Sequence, residues 1–366
     1  SRFLRKSIFG VELEAGNPYR ELRYYDIQHG TNFHGRDPFI KTVVNRLEAQ
    51  FAERTAPVAC RLTGFSGSGK SSVLRAGILR TLSNSQQRGR YRVVVLHPQE
   101  HFKTVAGGDI DRPLDTVLIE IEAQARLELD PGCWREINRA GAAAPEQAAK
   151  AISAVLGKMR ADGSQRLIIA LDQFEEIVDE LGTARRLEYW QPLLRFIERL
   201  SKDPNIGLIY TLESSRKPQH DRVDLPAIFH HAFEQDLDDA TDTFVREIIS
   251  RPFAETKYPL AQEVVDQLDE NFKKLREENL RSARNSVLPL LALKLYKLWE
   301  FVSENLEQQD DGILASVDMA GNKGKITLAM LKERKQILIQ NAVTRGCVVQ
   351  KDQVSRLFTT EVKVIS

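Results

Sequence analysis

No run of apolar residues in this 366-residue chain approaches the roughly 20 that a membrane-spanning helix requires, so no membrane partner is expected. Cysteine is scarce: Cys60, Cys133 and Cys347 are far apart and odd in number. That excludes a disulfide framework and a cysteine-knuckle metal site, and it points to a reducing compartment, the cytoplasm. Charge of either sign is missing in excess, with 52 Lys and Arg against 51 Asp and Glu and a net charge of +1. There is no global field to recruit nucleic acid or an anionic membrane, and no direct nucleic-acid binding is expected. Local basic runs such as Phe272-Lys273-Lys274-Leu275-Arg276 sit beside Glu277 and Glu278, the pattern of a solvated helix face. No signal peptide and no internal repeat is visible. The ends at Ser1 and Ser366 carry no terminal design, so a piece of a longer protein is expected.

What is present is an ordinary globular composition, 42% apolar and 28% charged, long enough for two or three domains with real cores. One stretch organises it. Gly64-Phe65-Ser66-Gly67-Ser68-Gly69-Lys70-Ser71-Ser72 fits G-x-x-x-x-G-K-[ST], the loop that cradles phosphate in nucleoside triphosphatases. Residues 57–63 before it read as a buried strand, and residues 72–80 after it have helical apolar spacing. Glycines let backbone N–H groups close around phosphate oxygens, and the helix N-terminus adds free donors and partial positive charge. In this pattern Lys70 reaches the β- and γ-phosphates and Ser71 offers its hydroxyl to Mg²⁺. ATP or ADP with Mg²⁺ is therefore the expected ligand.

A second chemical signal lies about a hundred residues on. Leu167-Ile168-Ile169-Ala170-Leu171 is a buried-strand run ending in Asp172, placed to hold Mg²⁺ opposite Ser71. Glu175 or Glu176, a few residues later, is placed to orient or activate an attacking water. Residues 91–97 read as another strand, and residues 205–212 as a third whose end lies beside the γ-phosphate in a parallel sheet. His97 and His101 read as polar tips rather than ligands. Residues 232–237 predict an edge strand. Asp37 as N-cap and Pro38 at the first helical position start a helix carrying Ile40, Val43, Val44, Leu47 and Phe51 on one face. The preceding Gly35-Arg36 is a candidate neighbour of the nucleotide base.

The pattern predicts an α/β fold, a P-loop parallel sheet with flanking helices, followed by a helical domain. The boundaries fall at 1–30 for an N-terminal lead-in, 31–238 for the nucleotide-binding domain, 239–345 for the helical domain and 346–366 for the start of a further, winged-helix-like domain. Helices are expected over 113–127, 148–160, 189–200, 241–249 (broken by Pro252), 261–275, 286–299 and 326–342, with a loop holding short helical pieces over 130–147 and a loop over 304–325.

In combination these motifs resemble the STAND class of signal-transduction ATPases, most closely its bacterial group called novel STAND. The similar stretches run in one order over about 330 residues. They are Asn17-Pro18-Tyr19-Arg20, Phe33-His34-Gly35-Arg36, Gly67 to Ser72 with Arg75-Ala76-Gly77, Leu171-Asp172-Gln173-Phe174-Glu175-Glu176, and Leu288-Pro289-Leu290-Leu291 with Leu298-Trp299-Glu300. The resemblance implies that Pro289 lies near the adenine. It also implies a switch that holds ADP in a closed monomer and exchanges it for ATP when a C-terminal sensor meets its trigger. The ATP form then self-oligomerises and activates an attached effector, in bacterial defence or stress signalling, with sensor and effector outside this chain. Two departures stand out. The family's γ-phosphate-sensing Arg after the third strand is replaced by Glu213, with Arg216 three residues on as a possible substitute. And all seven histidines lie at or before His231, so the winged-helix His that contacts ADP in many members is missing here.

Two rival classes fit the same motifs. One is a nucleotide-binding scaffold without hydrolysis, favoured by Glu213. The other is an AAA-like ATPase that performs mechanical work, for which Arg195, Arg199 and Arg251 are the candidate arginine fingers.

Overall fold

Four short, largely apolar runs become the strands β1 (Val58–Gly64), β2 (Tyr91–Leu96), β3 (Arg166–Leu171) and β4 (Ile206–Glu213), and a more polar one becomes β5 (Phe233–Asp236). They form one sheet in the order β2-β3-β4-β1-β5, parallel throughout. The structure is a computed structural model and describes residues 17–53, 57–84, 90–101, 113–159, 165–181, 184–237, 242–254, 260–280 and 286–307. β1, β3 and β4 are covered on both faces, which is why they read as near-continuous apolar runs instead of alternating ones. Among the described residues β5 pairs with β1 alone and is an edge strand, as expected for residues 232–237. Register aligns the strand ends. Gly64 lies opposite Glu213, and Leu171 opposite both Leu96 and Tyr210. The loops after β1, β3 and β4 therefore share one end of the sheet, where ligands bind in open α/β sheets.

The described residues fall into two compact units, one within 25–30 and 36–238, the other within 1–24, 31–35 and 239–366. The lead-in segment thus contributes to both. In the sheet unit, helices Pro113–Ala125, Ala144–Lys158 and Ala184–Leu200 join the strands in one core that includes Val117, Ile121, Ile152, Phe196, Ile169 and Leu208. Helix Asp37–Glu53 buries Ile40, Val43, Val44, Leu47 and Phe51, the face its spacing predicts. Asp37 is its first residue rather than its cap, and the Arg36 carbonyl accepts the first helical bond from Ile40 N at 2.9 Å. The loop expected over 130–147 contains the helix Pro131–Arg139, capped by Asp130 through Gly132 N, and the first turn of Ala144–Lys158.

The other unit packs helices Asp242–Ala254, Gln262–Leu280 and Leu288–Glu307 around Phe253, Leu268, Leu295 and Trp299. Pro252 does not break its helix, which runs on to Ala254. Proline lacks the N–H that would bond the carbonyl four residues back, here Ile248. The Tyr19 hydroxyl fills that place, lying 3.1 Å from both the Ile248 and the Ile249 carbonyl oxygens. Tyr19 is buried, with its ring 6.2 Å from Phe253 and 6.3 Å from Trp299. Asn17 adds a bond from its side-chain amide to the Tyr296 carbonyl at 2.9 Å. The last helix extends through Glu307, beyond the loop start expected at 304. The helix predicted over 326–342 and the further domain over 346–366 lie outside the described residues. Among the described residues no helix is long and apolar enough to cross a membrane.

Candidate functional site

The glycine loop sits where β1 ends and the helical run Lys70–Asn84 begins. Gly67 and Gly69 adopt φ of 75° and 91°, a region that L side chains enter only at a cost. A Cβ on Gly69 would meet nothing within 4 Å, so backbone conformation alone requires glycine there. At Gly64 the reason is space, since a Cβ would stand 2.7 Å from Ser68 Oγ. Phe65, Ser66 and Gly67 are exposed at the tip. Ser68 is buried and its hydroxyl has no hydrogen-bond partner in the structure. A buried hydroxyl without a partner is uncommon, and an anion in the loop would supply the acceptor. Ser72 is buried and its Oγ accepts from Tyr25 N at 3.1 Å.

Asp172 follows β3 directly and is fully buried. Ser71 Oγ donates to its Oδ1 at 2.9 Å, and Thr211 Oγ1, from β4, donates to the same oxygen at 3.0 Å. Arg75 Nε donates to Oδ2 at 2.9 Å. The turn after Asp172 is held as firmly. Gln173 takes φ 58°, with its N–H on Thr211 Oγ1 at 2.7 Å, and Phe174 N bonds the Thr211 carbonyl at 3.1 Å. The Phe174 ring is fully buried and stacks on Phe229 at 4.7 Å. The aromatic in the Asp-Gln-Phe-Glu-Glu run is thus an anchor that fixes the acidic residues on either side of it. Ser71 and Asp172 place two hard oxygen donors on neighbouring segments, a donor set that suits Mg²⁺.

Lys70 is buried, and its Nζ donates to the Gly64 and Phe65 carbonyls at 3.1 and 3.0 Å. Burial lowers its pKa from the usual lysine range, and the nearby Glu175, Glu213, Asp172 and Asp236 carboxylates oppose the shift. The two glutamates part company. Glu175 lies near Lys70 and Asp172, and burial raises its carboxyl above the ordinary range against the pull of local backbone amides and Lys70. Its Oε2 has no hydrogen-bond partner. Glu176 N bonds the Gln173 carbonyl at 3.1 Å and its side chain is half-buried. Glu213, last in β4 and opposite Gly64, accepts from Ser215 Oγ at 2.7 Å. Arg216 pairs instead with Asp179 at 3.1 Å.

Gly35 belongs to the helical unit and takes φ 89°, with the Phe244 side chain 2.4 Å from where a Cβ would lie. Arg36 belongs to the sheet unit and is buried. Pro289 enters the second position of helix Leu288–Glu307, behind a Ser286 Oγ bond to Leu288 N at 3.2 Å. Of the finger candidates, Arg195 and Arg251 are exposed and Arg199 pairs with Glu146 at 3.3 Å. Elsewhere His220, Asp221 and His230 cluster, but Arg61 stands 3.3 Å from His220 Nδ1, a cation where a metal would have to sit. Arg75, holding Asp172 Oδ2, has a structural role that the motifs left unassigned. The signal was available, since it is four residues after Ser71, the lone charge in the apolar run Val73–Leu79.

A family model described as Novel STAND NTPase 1 matches residues 18–358. No curated protein matches the chain. The ADP form of the Aeropyrum pernix ORC2 protein is similar with a TM-score of 0.48 and 16% identity over 75% of this chain and 65% of that one. This chain thus spans slightly less than two thirds of that protein. The Walker-type ATPase paby2304 of Pyrococcus abyssi is similar with a TM-score of 0.45 and 14% identity over 90% of this chain and 89% of that one. For domain III of the Thermotoga maritima replication initiation protein DnaA the values are 0.41 and 14%, over 80% and 93%.

Proposed function

The chain belongs to the novel STAND NTPase 1 family, and from that premise we propose that it is a nucleotide-controlled signalling switch. It binds ATP and ADP with Mg²⁺, hydrolyses ATP slowly, and couples nucleotide exchange to self-assembly and to an effector outside this chain. The observation that carries the reading is the juxtaposition of a glycine loop, a buried Lys70 and the bonded pair Ser71–Asp172 at one end of a parallel sheet. Gly64 to Ser72 wrap the phosphates. Lys70 exchanges its two neutral carbonyl acceptors for charged phosphate oxygens, which offsets the cost of burying an ammonium. Ser71 and Asp172 hold Mg²⁺, which offsets phosphate charge. Glu175, beside Lys70, orients the attacking water, and Glu176 stays peripheral. Gly35, Arg36 and Pro289 are assigned to the base side by family resemblance.

Slow turnover follows from Glu213, since a carboxylate at the tip of β4 disfavours charge developing on the γ-phosphate. Moving a two-state equilibrium from 1:99 to 99:1 takes about 5.5 kcal/mol of differential binding. Two or three charged hydrogen bonds to one extra phosphate supply that, at roughly 1.5–3 kcal/mol each. Glu213 also favours a second reading, a nucleotide-binding module without hydrolysis.

The test is the nucleotide released on denaturing purified protein, resolved by ion-exchange chromatography, for wild type and Lys70→Ala. About one ADP per chain in wild type and none in the variant is the expected result. No nucleotide in either, with weak ATP binding on titration, overturns the switch. Single-turnover hydrolysis by wild type but not by Glu175→Gln separates the switch from the inert module.

A further inference from the structure

Arg75 stands between two carboxylates. Its Nε holds Asp172 Oδ2 at 2.9 Å, and its terminal nitrogen lies 4.0 Å from Asp26 Oδ1. The guanidinium and Asp172 are buried, whereas the Asp26 side chain is 38% exposed. Asp26 is carried by the segment 25–30, which is fastened to the same helical run at two other points. Tyr25 N donates to Ser72 Oγ at 3.1 Å, and Gly30 packs so closely that a Cβ there would stand 2.7 Å from the Ala76 carbonyl oxygen. Arg75 itself lies in the π-helical stretch Val73–Leu79, a widened turn often found at functional sites.

We propose that Arg75 is the resident counter-cation of the metal site and that Asp26 sets how strongly it acts. This rests on the reading of Ser71 and Asp172 as the Mg²⁺ ligands. By holding Oδ2, Arg75 turns Oδ1 toward Ser71. Its charge also cancels much of what Asp172 offers a divalent ion. With Arg75 Nε only 2.9 Å from Oδ2, an ion held beside Oδ1 would feel the guanidinium from on the order of 6 Å, and the two would repel. Asp26 is the alternative partner, so a shift of Arg75 from Asp172 toward Asp26 relieves that repulsion. Metal occupancy and the Asp26–Arg75 pair are then linked. Each strengthens the other by the same factor, and the segment 25–30 senses the state of the site.

The coupling predicts opposite signs for two substitutions. Arg75→Gln keeps an N–H donor for Oδ2 and removes the charge. Asp26→Asn keeps the size and removes the negative charge that faces Arg75. Mn²⁺ binding to the full chain is followed by the electron paramagnetic resonance signal of free Mn²⁺, with ADP bound. Arg75→Gln should tighten Mn²⁺ at least about tenfold, the Coulomb effect of one charge on a divalent ion at ~6 Å even at the dielectric of water. Asp26→Asn should weaken it about fourfold, the same calculation at ~10 Å. Arg75→Lys, which keeps the charge, should stay within about twofold of wild type, and it serves if Arg75→Gln does not fold. A purely structural Arg75 predicts that both substitutions weaken binding or leave it unmoved, and either result overturns the proposal. ADP affinity in EDTA is measured on the same samples. Wild type that fails to bind ADP overturns the nucleotide reading and this inference with it. Intact ADP binding with unmoved Mn²⁺ affinities overturns only the role of Arg75.

Discussion

Ser71 and Asp172 stand 101 residues apart in sequence and share a 2.9 Å hydrogen bond. The sheet order produces it. β4 lies between β1 and β3, and Thr211 of β4 bonds the same Asp172 oxygen at 3.0 Å. Three neighbouring parallel strands thus contribute one hydroxyl, one carboxylate and one loop-to-helix turn to a single point.

Thr211 and Ser71 should separate stability from ligand binding. Thr211→Val removes the donor to Asp172 and the acceptor for Gln173 N, both buried or half-buried. Loss of about 2 kcal/mol is expected by urea unfolding. Ser71→Ala leaves Asp172 with Thr211 and Arg75, so stability should move by less than about 1 kcal/mol. Calorimetric titration of that variant with ADP should show the Mg²⁺-dependent gain in affinity reduced about tenfold.

Glu175 predicts a pH dependence. Burial raises its carboxyl above the ordinary value, so folding stability is lost as pH rises from 4.5 through the folded value, and the cost is fully present above it. Glu175→Gln should therefore be more stable at pH 7.5, by about 1 kcal/mol for one unsatisfied buried oxygen. The gain should shrink toward zero as pH falls to the ordinary carboxyl range. Thermal melts of both proteins across pH 5 to 8 check the sign.

At Gly69 the space for a side chain exists and the backbone forbids it. Gly69→Ala should cost about 1–2 kcal/mol, the left-handed penalty, and Gly69→Asn should cost less because Asn tolerates that region. A chemical-denaturation series over Gly, Asn, Ala and Val at this position reads the order directly.

Tyr19 and Pro252 should be coupled. Tyr19→Phe removes the hydroxyl that meets the Ile248 and Ile249 carbonyls, at about 1 kcal/mol. In a Pro252→Ala background the alanine N–H is available to Ile248, and the loss should fall by half or more. A double-mutant cycle with no interaction energy would show that the tyrosine acts through its ring alone.

Much of this molecule is written locally. The glycine loop, the strand runs, the amphipathic helix from Asp37 and the Asp-Gln-Phe-Glu-Glu turn are legible because backbone conformation and apolar periodicity depend on near neighbours. The sheet unit and its parallel order follow from strands alternating with helices. What local pattern misjudged was the reach of elements. Pro252 reads as a helix stop because sequence proximity cannot show Tyr19, 229 residues away from Ile248, closing the open carbonyl.

The site divides the same way. Residue types and spacing alone picked out Lys70, Ser71 and Asp172 as one set, the set on which the proposed phosphate and Mg²⁺ site rests, and the fold brings Ser71 to 2.9 Å from Asp172. Only the tertiary structure decided which glutamate faces Lys70, that Arg216 turns to Asp179, and that Arg75 is spent on Asp172. Those outcomes depend on which side chains meet across strands and loops, and burial strengthens the Arg75–Asp172 contact far beyond anything spacing along the chain encodes.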